Sequence, residues 1–202
     1  MNLFLSGGCK NGKSFLAQRL ARAQAEMLQS PLYYLATMRP ADEEDRLRVL
    51  RHQSERAGWG FETIEQPTQL CACLRRANAG GVFLLDSLTA WLANEMFRPE
   101  GVDTDCGGRL EAELFEFLAR TGNAVVVSDF IYSDAARYDP LTEQYRRTLA
   151  RLDRAAAAAC GAVLEVVAGN AVIHKGDAAF FTLWERSRTI GAERRKNGWQ
   201  RG

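Results

Sequence analysis

The chain has 202 residues, 47% hydrophobic and 25% charged, with 26 Lys and Arg against 25 Asp and Glu and a net charge of +1. That length fits one domain, or one domain with an appendage, and the charge balance gives no general attraction for nucleic acid or acidic membranes. No apolar run approaches the roughly 18 residues that span a bilayer, and no charged leader with a cleavage site opens the sequence, so a cytoplasmic protein without a membrane span is expected.

The first element is a short apolar strand, Asn2–Ser6. Gly7-Gly8-Cys9-Lys10-Asn11-Gly12-Lys13-Ser14 follows it and spells G-x-x-x-x-G-K-S; an amphipathic helix is predicted over Lys13–Met27. Strand, glycine loop and helix in that order are the context of a phosphate-binding P-loop. Glycines let successive N–H groups turn toward phosphate oxygens without a Cβ clash. The helix N-terminus adds partial positive charge. In that motif Lys13 reaches the β- and γ-phosphates and the Ser14 hydroxyl ligates Mg²⁺.

Further along, strands are expected at Leu32–Thr37, Gly60–Ile64, Val82–Asp86, Ala124–Ser128, Ala162–Val167 and Ala171–His174. Helices are expected at Asp42–Ala57, Pro67–Asn78, Leu88–Phe97, Gly108–Arg120 and Pro140–Cys160, with Arg98–Gly107 a Gly/Asp-rich loop. Leu141, Tyr145, Leu149 and Leu152 recur at helical spacing in the last helix. Continuously apolar strands such as Val82-Phe83-Leu84-Leu85 suit a parallel sheet covered on both faces. The alternation of strands and helices gives an α/β, P-loop NTPase-like, doubly wound fold with a mostly parallel sheet. Residues 1–176 read as the P-loop nucleotide-binding domain. Residues 177–202 read as a basic C-terminal extension: from Trp184 on there are six Arg or Lys against two Glu, the composition of a basic arm or a frayed, solvated helix.

Asp86 ends an apolar strand, where a P-loop protein holds its Mg²⁺ shell; capping the helix that starts at Leu88 is the other role open to it. The five cysteines form no C-x-x-C pair, and Cys71-Ala-Cys73 lacks a second pair to complete a zinc site, so buried or incidental thiols are expected. Cys9 sits inside the loop, where a helix N-terminus can lower a thiol pKa.

Only two histidines occur, His52 and His174. His174 closes an apolar strand, which points to a strand-end or turn role. At about 100° per residue, Glu44, Arg48, His52 and Arg56 form a drifting line on one side of their helix. Leu47, Leu50 and Ala57 lie on the other side. A packed core histidine is therefore not expected; a surface histidine and a chemically active one both fit the periodicity.

Several motifs together resemble the bifunctional adenosylcobinamide kinase / adenosylcobinamide-phosphate guanylyltransferase family of cobalamin biosynthesis. They are the P-loop, Tyr34-Leu35-Ala36-Thr37, and the helix bearing Glu44, Arg48, Val49, His52 and Arg56. Trp59, Thr63, Glu65 and Pro67 follow, and then Asp86-Ser87-Leu88-Thr89-Ala90-Trp91-Leu92-Ala93-Asn94. The resemblance covers most of residues 1–175. It implies phosphorylation of adenosylcobinamide by ATP or GTP, then transfer of GMP from GTP through a guanylylated histidine, matched here by His52. Neutral imidazole is a good nucleophile at neutral pH. Arg48 and Arg56, a turn to either side, would hold phosphate oxygens. The family also implies nucleotide contacts from Ala36, Thr37, Met38, Gln53, Ser54, Glu55, Arg56, Glu65 and Asp86, with Ser14 and Asp86 toward the Mg²⁺ that travels with the nucleotide. It further implies a homo-oligomer, trimeric in arrangement.

The chain departs from the family at Lys10-Asn11, where Arg-Ser is usual, and at Ser87, where Cys is usual. After the fifth strand the family continues S-N-E-V-G, whereas this chain reads Ser128-Asp129-Phe130-Ile131-Tyr132-Ser133. That altered segment keeps two further readings open: another P-loop small-molecule kinase or NTPase, and a non-catalytic nucleotide-binding paralogue.

Overall fold

The structure is a computed structural model that describes residues 1–40 and 42–198; the side chains of residues 44, 45, 48, 51, 52, 55 and 191–198 lie outside the description. In chain order the elements are β1 (Leu3–Gly7), α1 (Lys13–Leu28), β2 (Leu32–Ala36), α2 (Glu43–Arg56) and β3 (Phe61–Glu65). A 3-10 turn (Leu70–Arg75), β4 (Val82–Asp86), α3 (Leu88–Met96), the two-residue strands β5 (Phe97–Arg98) and β6 (Gly101–Val102), and α4 (Gly107–Thr121) follow. The chain continues through β7 (Ala124–Val127), α5 (Pro140–Ala159), β8 (Ala162–Val167), β9 (Asn170–Lys175) and α6 (Ala178–Gly198).

Seven strands form one sheet in the order β3-β2-β4-β7-β1-β8-β9, parallel except for the antiparallel β8–β9 pair. Successive side chains on a strand face opposite ways, so each central strand feeds two cores. Phe4, Leu35, Phe83, Leu85 and Val126 face the layer built by α3, α4 and α5, with Trp91, Leu110, Phe117 and Leu149. Leu3, Leu5, Leu32, Leu84 and Val125 face α1 and α6, with Leu20, Ala21 and Leu183. Both faces being covered is why these strands carry no polar alternation. The sheet thus has the α/β, doubly wound form expected from the sequence.

Four expectations change in the folded chain. The helix expected over Pro67–Asn78 shrinks to the 3-10 turn, preceded by Gln69 in the left-handed region at φ 50°. The Gln69 N–H donates at 2.7 Å to Glu95, a carboxylate fully buried on α3. Burial alone would raise the Glu95 pKa, but that N–H together with Arg98 and Arg109 outweighs it and holds the carboxyl below its usual range. The left-handed backbone at Gln69 breaks the helical path before Leu70, and the buried carboxylate satisfies the N–H exposed there. Second, the Gly/Asp-rich loop contains the β5–β6 hairpin, in which Phe97 faces Val102. Third, the apolar side of α2 is not its buried side: Leu47 and Leu50 are 58% and 59% exposed, whereas Val49 and Arg56 turn inward. Fourth, the basic segment after Trp184 continues α6, with Ser187 and Ile190 buried and Arg19 of α1 donating to the Ser187 carbonyl at 3.0 Å.

Candidate active site

The carboxyl ends of β1, β2, β4 and β7 converge on a cleft of about 860 Å³, the usual location of a ligand in an open α/β sheet. Its floor is the glycine loop. Gly7 has φ 150° and packs so closely that a Cβ there would collide with the Val166 carbonyl and the Asn11 amide. Gly12, at φ 92°, turns the chain into α1. Lys10 also takes positive φ, at 55°. At the start of α1 the Lys13 N–H donates to Asn11 Oδ1 at 3.3 Å, and no acid occupies the first turn, so the helix keeps its positive end toward the cleft. The Asn11 amide donates to the Val166 carbonyl, fastening the loop to β8.

Lys13 is 5% exposed, and its ammonium donates to the Gly8 carbonyl at 2.6 Å and to Asp129 Oδ1 at 2.8 Å. Both partners are oxygens that a triphosphate can replace. Asp86 lies at the end of β4, one strand beyond β7, where Tyr34 donates to its Oδ2 at 2.9 Å. The Arg56 guanidinium covers the other face of that arrangement: it lies 4.0 Å from the Tyr34 ring centroid and donates to Thr63 Oγ1 at 3.1 Å. Burial lowers the Arg56 pKa, while Tyr34 and Asp86 push it back up; a guanidinium stays charged throughout.

Of the residues singled out from the sequence, Cys9, Lys10, Asn11, Gly12, Lys13, Ser14, Ala36, Met38, Gln53, Arg56, Glu65 and Asp86 line this one cleft. Gly7 and Gly8 shape it from beneath. Thr37 is fully buried instead: its hydroxyl donates to the Ser87 carbonyl at 2.9 Å and accepts from the Ser87 N–H at 2.8 Å, locking β2 to the start of α3. Ser54 is exposed. The side chains of His52, Arg48 and Glu55 lie outside the described residues. Ser87, not Asp86, is the α3 cap, accepting from the Ala90 N–H at 3.3 Å, which leaves Asp86 for the cleft.

The cleft also holds residues to which the sequence reading gave no site role: Tyr34, Thr63, Thr89, Asp129 and Tyr145. Tyr34 stands in one of the family-like motifs, but its place beside Asp86 comes from the pairing of β2 with β4. Asp129 sits in the segment that departs from the family pattern, which was its one signal in the sequence.

His174, in β9, pairs with Glu165 on the neighbouring β8 at 3.0 Å, away from the cleft. The thiols of Cys71, Cys73 and Cys160 are pushed up by burial to about 11, 12 and 12, so they are poor nucleophiles. No group of three or more His, Cys, Asp or Glu among the described residues could hold a metal ion by itself. No helix among them is long and apolar enough to cross a membrane.

The FlaH flagellar accessory protein of Methanocaldococcus jannaschii superposes with a TM-score of 0.47 at 16% identity, over 88% of this chain and 79% of that one. The bifunctional adenosylcobalamin biosynthesis protein CobP of Pseudomonas aeruginosa is 34% identical over 180 residues, covering 88% of this chain and 99% of that protein. The sequence profile named cobinamide kinase / cobinamide phosphate guanyltransferase matches residues 3–173. The chain belongs to the cobinamide kinase / cobinamide phosphate guanyltransferase family of nucleotide-using transferases in cobalamin biosynthesis.

Proposed function

We propose that both transfers of this family run in the one cleft and that His52 carries the GMP between GTP and the corrinoid phosphate. The cleft supports this reading because it has one phosphate floor and two different walls. On one wall α2 contributes Val49, Gln53 and Arg56, together with Glu65 of β3. Position 52 follows 49 and precedes 56 at helical neighbour spacing, one turn from each. On the other wall stand Thr89, Asp129 and Tyr145. The cleft suits a nucleotide and the arm of a larger molecule, so the corrinoid ring stays at the mouth and inserts its aminopropanol arm.

In the kinase step that arm's hydroxyl attacks the γ-phosphorus and the nucleoside diphosphate leaves. In the second step an imidazole nitrogen attacks the α-phosphorus of GTP and pyrophosphate departs. The corrinoid phosphate then attacks the phosphoramidate, forms the new P–O–P linkage and frees the histidine. Lys13 and the N-terminus of α1 neutralise the phosphates, and Arg56 offsets charge that develops at the α-phosphorus. Mg²⁺ arrives with the nucleotide. It needs only one or two protein oxygens beside phosphate and water, and Ser14 and Asp86, which both line the cleft, would supply them. We also infer a homo-oligomer in the cytoplasm, where the nucleotides and a reduced thiol set belong.

The single observation that carries the proposal is the convergence of the glycine loop, Asp86 and the inner side of α2 on one cleft. The test is incubation with α-labelled GTP and Mg²⁺. The expected label survives base and is lost in acid, and His52→Ala abolishes it. Unlabelled wild-type protein overturns the guanylyl-histidine.

A further inference from the structure

Two carboxylates end neighbouring strands in the cleft, and they are held differently. Asp86 is oriented by the Tyr34 hydroxyl, over on the β2 side. Asp129, two residues past the end of β7, has no tyrosine hydroxyl on it among the described residues; its Oδ1 meets the Lys13 ammonium at 2.8 Å. Its backbone is fixed on all sides. The Ser128 N–H donates to Leu5 at 3.0 Å, the Phe130 N–H donates to Gly7 at 3.0 Å, and the Asp129 N–H donates to Thr89 Oγ1 at 2.9 Å. Thr89 is itself anchored, its carbonyl accepting from Tyr145 at 2.8 Å. The carboxylate is therefore set beside the glycine loop with little freedom in the backbone that carries it, and it is 31% exposed toward the cleft.

We propose that Asp129 is the acceptor of the hydroxyl proton in the phosphorylation step. This assignment rests on the kinase reading of the cleft given above. Lys13 in a P-loop goes to the β- and γ-phosphates, so an oxygen within hydrogen-bond distance of its ammonium stands next to the γ-phosphoryl group. When the triphosphate arrives, Lys13 exchanges Asp129 for phosphate oxygen, and Asp129 is left facing the acceptor with no cation on it. The hydroxyl oxygen of the arm forms a bond to the γ-phosphorus, and the bond from that phosphorus to the β,γ-bridging oxygen breaks. The nucleoside diphosphate departs with the electron pair, and the hydroxyl proton passes to the Asp129 carboxylate and on to water. An aspartate that orients the attacking hydroxyl and accepts its proton serves this role in protein kinases, and a base so placed contributes about 10²- to 10⁴-fold. Asp86 is the poorer candidate: Tyr34 already occupies one of its oxygens, and its strand lies one further from the loop.

The two roles of Asp129 make opposite demands on nucleotide binding, and that provides the test. Asp129→Asn keeps the size and the Thr89 contact but removes the proton acceptor and the ion pair that nucleotide must break. Nucleotide affinity, measured by calorimetry with Mg²⁺, is expected to hold or improve severalfold, while the rate of cobinamide phosphorylation falls about 10²- to 10³-fold. Asp129→Glu restores part of that rate. A rate within tenfold of wild type in Asp129→Asn overturns the assignment. So does a loss of affinity that matches the loss of rate, because Asp129 would then act only by placing Lys13. Wild-type protein that makes no cobinamide phosphate overturns the kinase reading and this assignment together; wild-type protein that makes it, with Asp129→Asn equally active, overturns this assignment alone.

Discussion

Tyr34 and Asp86 stand diagonally across two parallel strands, and the tyrosine hydroxyl donates to Asp86 Oδ2 at 2.9 Å. In the register Ala36 faces Asp86 and Tyr34 faces Leu84, so the tyrosine comes from two residues back on the same side of β2. The same ring lies under Arg56. One aromatic side chain therefore orients the acid and carries the guanidinium.

Tyr34→Phe separates these tasks. The ring and its cation–π contact remain, and only the hydrogen bond to the carboxylate goes. A hydrogen bond to a charged group contributes about 1.5–3 kcal/mol, so Mg²⁺-dependent nucleotide affinity is expected to fall about ten- to a hundredfold. Binding without Mg²⁺ should change little. Titration calorimetry in Mg²⁺ and in chelator measures both, and equal losses in the two would contradict the role given to Asp86.

Gly7→Ala tests the floor of the cleft. The new methyl meets the Val166 carbonyl, which belongs to the sheet and cannot step aside, and φ 150° is itself unfavourable for alanine. A cost of about 2–3 kcal/mol corresponds to a melting temperature lower by roughly 5–10 °C for a chain of this size, with nucleotide binding lost as well. Thermal melts with and without GTP decide it, since a variant that melts like wild type would mean that the close approach of loop and β8 is not maintained in solution.

Asp153 gives a pH prediction with a definite sign. Burial in α5 pushes its carboxyl up to about 6, with the negative charge of Asp129 adding to the rise and the Ser128 and Tyr132 hydroxyls pulling the other way. Tyr132 donates to its Oδ2 at 2.9 Å. The folded protein thus binds this proton more tightly than the unfolded chain, whose carboxyl titrates near 3.8. Its contribution is most favourable below the unfolded value and is lost as pH rises from about 4 through about 6, a difference on the order of 3 kcal/mol. Asp153→Asn, whose amide still accepts from Tyr132, should flatten that part of the curve and be the more stable protein at pH 8. Urea unfolding at pH 4, 6 and 8 measures it; a wild-type protein that gains stability relative to the variant across that range would refute the sign.

Much of the frame was legible from the sequence because it rests on local rules. The strand limits at Val82–Asp86 and Ala162–Val167 are those expected, since apolar runs of that length bounded by turn residues have few alternatives. The helix over Pro140–Ala159 starts where Asp139 caps it, accepting from the Leu141 and Thr142 N–H groups. The 3-10 turn at Leu70–Arg75 was not legible, because the left-handed turn at Gln69 that precedes it is braced by a carboxylate 26 residues away. The inner side of α2 was misjudged for a related reason. Periodicity finds the apolar side of a helix and assumes that it is buried, whereas this helix, beside a polar cleft, lines it with Gln53 and Arg56, buries Arg56 and leaves Leu47 and Leu50 exposed.

The sequence by itself determined the strand–loop–helix that cradles phosphate, the alternation that makes a sheet covered on both faces, and membership of the family. Each is written in neighbouring residues, where backbone geometry acts over a few bonds. Only the tertiary structure decided which groups face the phosphates together: Tyr34 with Asp86 across a strand pair, and Asp129 with Lys13 across a chain separation of more than half the protein. The first pairing comes from laying β2 beside β4 and the second from laying β7 beside β1, a choice of strand order made by packing the whole molecule, and no local spacing records it.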